Sequence, residues 1–384
     1  MNGDFFNSIG VADMEKVHSA VIGWMFSDKC RALNSPQKSE LLCGLFGVNP
    51  VRQFKTFRVE VEHHNIDINI ITDEQTFPEC WVIENKIKSS QHSNQLDKYV
   101  DIVQGHQVKI GRTTHQITEY MKMTQHFCFL TLVNEQAQCS RTVTWSNKTY
   151  KEFAKLFCNF NLPNNTNPDS IILNEYIQCI SKLDIVLEDF LNHHQDYPNV
   201  FTDGALKKDL SKKTYANAKG QYAQFIAENG LETIFQKCFL SHIMKRTVFF
   251  KTGFSILETH GTALAENKEL IPVGDTKLGI QFQDGSFKAQ VVIPVLKKES
   301  DYITINQGFW EKWDNVFKSN QLQIRSEWNL NVSHGRKGPY FSYSKKVNSP
   351  WFNKGLDQIA EEWDRMYDEC MQVLNELKYY CESE

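Results

Sequence analysis

Residues 57–86 read FRVEVEHHNIDINIITDEQTFPECWVIENK, and the reading of the chain turns on them. Phe57, Val59 and Val61 alternate with Arg58, Glu60 and Glu62, a period of two that predicts a strand over Thr56–Glu62. His63, His64 and Asn65 predict a turn. A second strand follows over Ile66–Thr72, with Ile66, Ile68 and Ile70 on one face and Asp67 and Asn69 on the other. Asp73–Pro78 reads as a loop, and Cys80–Lys86 as a third strand. Side chains alternate faces along a strand, so Glu84 and Lys86 point one way while Trp81 and Ile83 point the other. If the second and third strands pair, Asp67, Glu84 and Lys86 converge on one patch. Two carboxylates and an ammonium on one patch are costly to desolvate unless they bind something.

Such a patch meets the needs of phosphodiester hydrolysis. Two carboxylates offer oxygen ligands to a hard cation, Mg²⁺ or Mn²⁺. The metal acidifies a bound water, steadies charge on the phosphate and orients an in-line attack. A neighbouring lysine positions the water and stabilises the developing negative charge. The peptide carbonyl of Asn85, between Glu84 and Lys86, can add a neutral metal ligand.

Outward from this core, Ala12–Phe26 reads as an amphipathic helix, with Val17, Val21, Trp24 and Met25 at helical spacing. Asn34, Ser35 and Pro36 signal a loop, and Lys38–Leu45 a second helix. On the other side, Ser89 and Ser90 are candidate caps of a helix over Gln91–Val103. His126–Val133 (HFCFLTLV) is an apolar run expected as a buried strand. Thr142–Trp145 reads as a short strand, and Thr149–Phe160 and Asp169–Leu191 as helices. The order is helix, three strands, helix, strand.

With that order in place, the sequence resembles the PD-(D/E)xK nuclease superfamily, and within it the RecB-like branch. The segments that carry the resemblance are IDINI at 66–70, VIENK at 82–86 and NQLDKY at 94–99. The resemblance implies metal ligation by Asp67 and Glu84 and assistance to the nucleophilic water by Lys86. The branch's QxxxY motif is matched by Gln95 and Tyr99, which share a helix face at i, i+4 and would hold substrate or order the site. Glu15, in EKVHSAVIGWMF, matches a first-helix glutamate that joins the metal site in many members. Ile66 stands where the family has proline, and the loop after the first helix lacks a glycine-rich pattern. The resemblance covers roughly residues 12–160. It implies a nuclease, with DNA the expected substrate and RNA the alternative, in a setting such as defence against invading DNA. A duplex cut needs two sites, which a homodimer would supply.

The rest of the chain sets bounds. Its 384 residues suggest two or three domains, and 41% apolar with 12% aromatic residues can build real cores. We expect an α/β fold, a restriction-endonuclease-like core with a mixed sheet flanked by helices over 1–200. A basic linker over 201–220 and an α+β domain over 221–384 follow. In the latter, strands are expected near 246–257, 278–283, 287–296, 301–305, 322–332 and 339–346, and helices near 308–319 and 354–379. Lys207, Lys208, Lys212, Lys213 and Lys219 make the linker a solvated spacer or a phosphate-tracking segment. In HGRKGPYFSYSKK (334–346), Arg336, Lys337, Lys345 and Lys346 interleave with Tyr340, Phe341 and Tyr343. That pattern suits either a single-strand contact or an ordinary hairpin. His18 either touches a phosphate or packs as a satisfied core histidine.

Ten cysteines without a CxxC pair fit a reduced compartment and argue against a zinc ribbon. The absence of an 18-residue apolar run and of a signal-peptide pattern predicts a cytoplasmic protein with no membrane partner. A net charge of −4, from 42 basic and 46 acidic residues, argues against a DNA-coating protein but not against a nuclease. Without a P-loop, GxSxG or HExxH, no nucleotide cofactor, serine hydrolase or zincin is expected. The alternatives are an RNA nuclease and a silent nucleic-acid- or protein-binding module on the same fold.

Overall fold

The computed structural model of the protein describes residues 5–73, 75–87, 91, 94–160, 167–201, 218–259, 262–273, 276–283, 285–292, 329–333, 340–346 and 351–382. In chain order the first elements are α1 (Phe5–Ser8), α2 (Glu15–Phe26), α3 (Ser35–Phe46), β1 (Phe57–His63), β2 (Ile66–Thr72), β3 (Glu79–Lys86) and α4 (Gln95–Val103). Then come β4 (Gln107–Ile110), β5 (Thr113–Gln116), β6 (Thr124–Thr131), β7 (Trp145–Thr149), α5 (Tyr150–Leu156) and α6 (Pro168–Asn192). The chain forms two compact units, Met1–Asn192 with Gln224–Ile234, and His193–Ala223 with Phe235–Glu384.

The first unit is built on a five-stranded mixed sheet in the order β1-β2-β3-β6-β7. β1, β2 and β3 form an antiparallel meander, while β6 runs parallel to β3 and β7 parallel to β6. The first hairpin closes through His64 and Asn65, both left-handed at φ 53° and 65°. Two left-handed central residues are the signature of the type I′ turn, whose twist suits a tight hairpin. β3 lies mid-sheet and is buried from Cys80 to Lys86.

Each face of the sheet has its own cover. Ile71, Cys80, Val82, Phe127 and Phe129 cluster with Leu96, Tyr99, Val100 and Val103 of α4. On the opposite face Trp81 meets Phe46 edge-on at 5.0 Å and stacks on His126 at 3.8 Å. α2 lies so close to β1 that a Cβ on Gly23 would sit 2.4 Å from Val61 Cγ2.

Several boundaries differ from the sequence expectation. α3 starts at Ser35, because Asn34 caps it reciprocally with Gln37 and Pro36 occupies its first turn. α4 starts only at Gln95, since Asn94 adopts φ 63° and cannot continue a helix backwards. The proposed caps Ser89 and Ser90 lie outside the described residues. The strand expected at 142–145 forms at Trp145–Thr149 instead. The segment before it is pinned to α4, Ser140 N–H to Asp97 at 2.6 Å and Arg141 to Asp101 at 2.8 and 2.7 Å. The exposed β4–β5 hairpin went unread because Val108 is its one buried side chain, and a two-residue turn at Gly111 (φ 62°) closes it.

The second unit contains a six-stranded antiparallel sheet ordered β12-β13-β11-β10-β9-β8. The elements after α6 are α7 (Ala223–Glu228), α8 (Glu232–Met244), β8 (Ser255–Thr259), β9 (Thr262–Val273), β10 (Thr276–Gln283) and β11 (Ser286–Val292). β12 (Asn329–Ser333), β13 (Tyr340–Lys346) and α9 (Leu356–Glu382) complete them. α9 packs on β9, β10 and β11, with Trp363 against Phe282 at 4.0 Å. The expected strand near 246–257 is mostly a 3-10 turn (Val248–Thr252), with β8 entering only at Ser255. The 12-residue β9 and the helices at 223–244 were not anticipated. The strand expected at 301–305, the helix at 308–319 and most of the basic linker lie outside the described residues. Among the described residues no helix is long and apolar enough to cross a membrane.

Candidate active site

The site grows from the β2–β3 register. Ile68 pairs with Ile83 and Ile70 with Trp81, on the face turned away from α4. One residue further out, Asp67 and Glu84 therefore sit side by side on the α4 face. The contacts agree: Asp67 Oδ2 accepts the Asn85 peptide N–H at 3.0 Å, and Oδ1 accepts the Tyr99 hydroxyl at 3.3 Å. Gln95 Nε2 donates to that hydroxyl at 3.2 Å, so Gln95 and Tyr99 form a short relay ending on Asp67. Tyr99 is buried, and of the two roles implied for the pair its geometry is that of ordering the site.

Glu84 is fully buried, and its carboxyl interacts with Lys86, Tyr99 and Asp67. The ion pair joins Oε1 to Lys86 Nζ at 2.5 Å. A buried carboxylate set against a second carboxylate, with one ammonium between them and the helix, is short of positive charge, which a divalent cation would supply. Lys86 also lies 3.9 Å from Glu15 Oε2, while Glu15 Oε1 accepts the Ile87 N–H at 3.1 Å. The first turn of α2 thus closes the patch from above, and Asp67, Glu84, Lys86 and Glu15 meet at one end of the central strands.

The electrostatics follow from this crowding. Burial pushes the Glu84 carboxyl up to about 8, the Asp67 charge adds to the push and Lys86 opposes it. Burial likewise raises Asp67, against the pull of Lys86 and the Asn85 N–H. Burial alone would lower Lys86, but Glu84, Asp67 and Glu15 outweigh it and hold the ammonium above its ordinary value. Burial and the neighbouring carboxylate thus both favour the protonated form of Glu84, and a bound cation would supply the positive charge instead.

Sequence reasoning missed Glu62. The β1–β2 register, with Val61 facing Ile68, carries it beside Asp67, and its carboxyl is pushed up by burial and then by Asp67. Its alternation with Glu60 was visible, but which strand it faced was not. Tyr150 was missed too. It is buried on α5, and its hydroxyl donates to Asn85 Oδ1.

Other predicted residues fall elsewhere. His18 does not face the site and is 1% exposed. Its Nε2 donates to the Ala12 carbonyl at 2.8 Å and its Nδ1 accepts the Tyr176 hydroxyl at 3.0 Å. Burial lowers its pKa to about 4, so it is a neutral core histidine and no phosphate contact. The Asn85 side chain turns away from the carboxylates, into α2 and α5. In the second unit Lys345 pairs with Glu369 at 2.7 Å and Lys346 is exposed. Arg336 and Lys337 lie outside the described residues.

The donor set fits a hard divalent cation: two adjacent carboxylates, one of them wholly buried, and an ammonium beside them. Among the described residues no group of three or more His, Cys, Asp or Glu side chains stands ready as a cation cage. Two carboxylates would leave the remaining positions to water, a peptide carbonyl and substrate oxygens.

A family model described as the PD-(D/E)XK nuclease superfamily matches residues 3–178. No match was found among curated proteins or among solved structures.

Proposed function

We propose, from the match of residues 3–178 to the PD-(D/E)XK nuclease superfamily model, that the protein is a Mg²⁺- or Mn²⁺-dependent nuclease hydrolysing DNA phosphodiester bonds at Asp67, Glu84 and Lys86. The observation that carries the reading is the wholly buried Glu84 carboxylate set beside Asp67, with the Lys86 ammonium 2.5 Å from its Oε1. A divalent cation between those carboxylates would acidify a water and neutralise charge on the phosphate.

Every other task falls to the chain's own groups. Asp67 is held by the Asn85 N–H and by the Gln95–Tyr99 relay, which fix one oxygen each. The peptide carbonyl of Asn85 is proposed as a neutral ligand from the same strand. Lys86, kept protonated by three carboxylates, leaves Glu84 to hydrogen-bond the attacking water and a phosphoryl oxygen. Glu15 accepts the Ile87 N–H and stays near Lys86, steadying the ammonium as it moves. Two such sites on a homodimer would cut both strands of a duplex.

The test is direct. Supercoiled plasmid, linear duplex, single-stranded DNA and RNA are incubated with the full-length protein in Mg²⁺, Mn²⁺ or EDTA, beside Lys86→Ala. Metal-dependent cutting of DNA that vanishes in the variant is expected. Cutting of RNA alone would replace the substrate class. Binding of nucleic acid with no cutting would replace the enzyme by a binding module.

A further inference from the structure

The residue between Glu84 and Lys86 does something no aliphatic side chain could. Asn85 is fully buried on the face that also carries Ile83, Cys128 and Leu130. A valine or isoleucine would fit such a face without burying an amide, and a buried amide is costly unless every polar atom is paired. Here every one is. Nδ2 donates to the Glu15 carbonyl at 2.9 Å and to Ser19 Oγ at 3.1 Å, and Oδ1 accepts from the Tyr150 hydroxyl. The orientation of the amide is not arbitrary. The Glu15 carbonyl can only accept, so the NH₂ must face it and Oδ1 must face Tyr150.

The same residue's peptide N–H holds Asp67 at 3.0 Å. Rotating the 84–85 peptide would take that N–H off Asp67 and swing Glu84 at the same time. The amide prevents the rotation by tying the peptide to the first turn of α2, where Glu15 reaches back to the Ile87 N–H. Tyr150 is in turn immobilised. Its ring meets His18 edge-on at 5.3 Å, and His18 is locked between Tyr176 and the Ala12 carbonyl. The anchor therefore runs from α6 and α2 through His18 and Tyr150 to the strand that carries the carboxylates.

We propose that Asn85, held by Tyr150, is the positioning residue that sets the Asp67–Glu84 spacing for the divalent cation. The proposal rests on the nuclease reading above and adds to it the device that preorganises the site. Groups that orient metal ligands change affinity roughly 10- to 100-fold when removed. Tyr150→Phe deletes one hydroxyl and leaves Asn85 Oδ1 buried and unpaired, so the amide loses its fixed orientation.

The experiment compares full-length wild type, Tyr150→Phe and Ser19→Ala by Mn²⁺ calorimetry, by metal-free hydrogen exchange of residues 80–87, and by plasmid cleavage. In Tyr150→Phe, Mn²⁺ affinity should fall about tenfold or more. Exchange at 84–87 should quicken without metal, and kcat should fall while KM for DNA stays within about twofold. Ser19→Ala removes one acceptor from Nδ2 and should do the same to a lesser degree. It also serves if Tyr150→Phe does not fold. A lowered melting temperature with unchanged Mn²⁺ affinity, exchange and kcat would overturn the proposal while leaving the nuclease reading intact. A wild type that takes up no Mn²⁺ with or without DNA would overturn both.

Discussion

Glu84 should make the metal-free protein less stable as the pH rises, and Glu84→Gln should remove that loss. The folded carboxyl titrates at about 8 against an ordinary value of 4.5. Between those values the native state holds a proton that the unfolded chain has released, so protons stabilise the fold and stability falls as pH climbs through the window. At about 1.4 kcal/mol per pH unit the whole interval corresponds to roughly 5 kcal/mol, and the portion below pH 7 to roughly 3. Lys86, 2.5 Å away, opposes part of this loss by steadying the ionised carboxylate. Glutamine keeps the shape and cannot ionise, so its stability curve should be flatter, by about 2 kcal/mol or more between pH 5.5 and 8.5. The assay is urea unfolding of both proteins in EDTA at several pH values. Saturating Mn²⁺ should erase the decline in wild type alone, since the cation takes the place of the proton. A wild-type stability that holds or rises from pH 5.5 to 8.5 relative to Glu84→Gln would refute the assignment of a protonated, buried Glu84.

Three further outcomes are expected. Tyr99→Phe removes the donor to Asp67 and strands Gln95, so single-turnover cleavage should slow roughly tenfold; an unchanged rate would show the relay to be idle. His18, lowered to about 4, should remain neutral at pH 5.5 in a ¹⁵N histidine titration. Because the unfolded chain then binds more protons than the native one, this group's contribution is complete above its ordinary 6.5 and is lost as pH falls towards 4. A ring charged at pH 6 would contradict its burial between Ala12 and Tyr176. Gly23→Ala forces a methyl to 2.4 Å from Val61 Cγ2 and should cost about 1–3 kcal/mol in urea unfolding, and an unaltered midpoint would mean that α2 and β1 are not packed as described.

The core of the first unit was legible where the physics is local. Alternation in 57–62 and 66–72, the apolar run at 126–131 and the helical spacing in 15–26 each report one element's own environment, and each formed close to its expected span. The family match and the mixed sheet bear out the fold class read from their order. Less legible were elements set by partners distant in sequence. β7 begins where the Asp97 and Asp101 anchors release the chain, and β9 ends in Leu270, Ile271, Pro272 and Val273, a pattern that does not alternate cleanly.

The candidate site divides in the same way. Strand periodicity alone put Glu84 with Lys86, and Asp67 opposite the isoleucines, because side-chain direction is a property of one strand. Which strands pair, and in what register, is a property of the whole sheet. Register brought Glu62 to Asp67 and set the buried Glu84 beside Asp67, and packing of α2 aimed the Glu15 carboxylate at Ile87. His18 and Asn85 show the limit most clearly. A polar residue on a helix or a strand carries no mark of whether it will face solvent or interior; packing of α2, α5 and α6 around it settles that, by supplying or withholding the hydrogen bonds that make burial affordable.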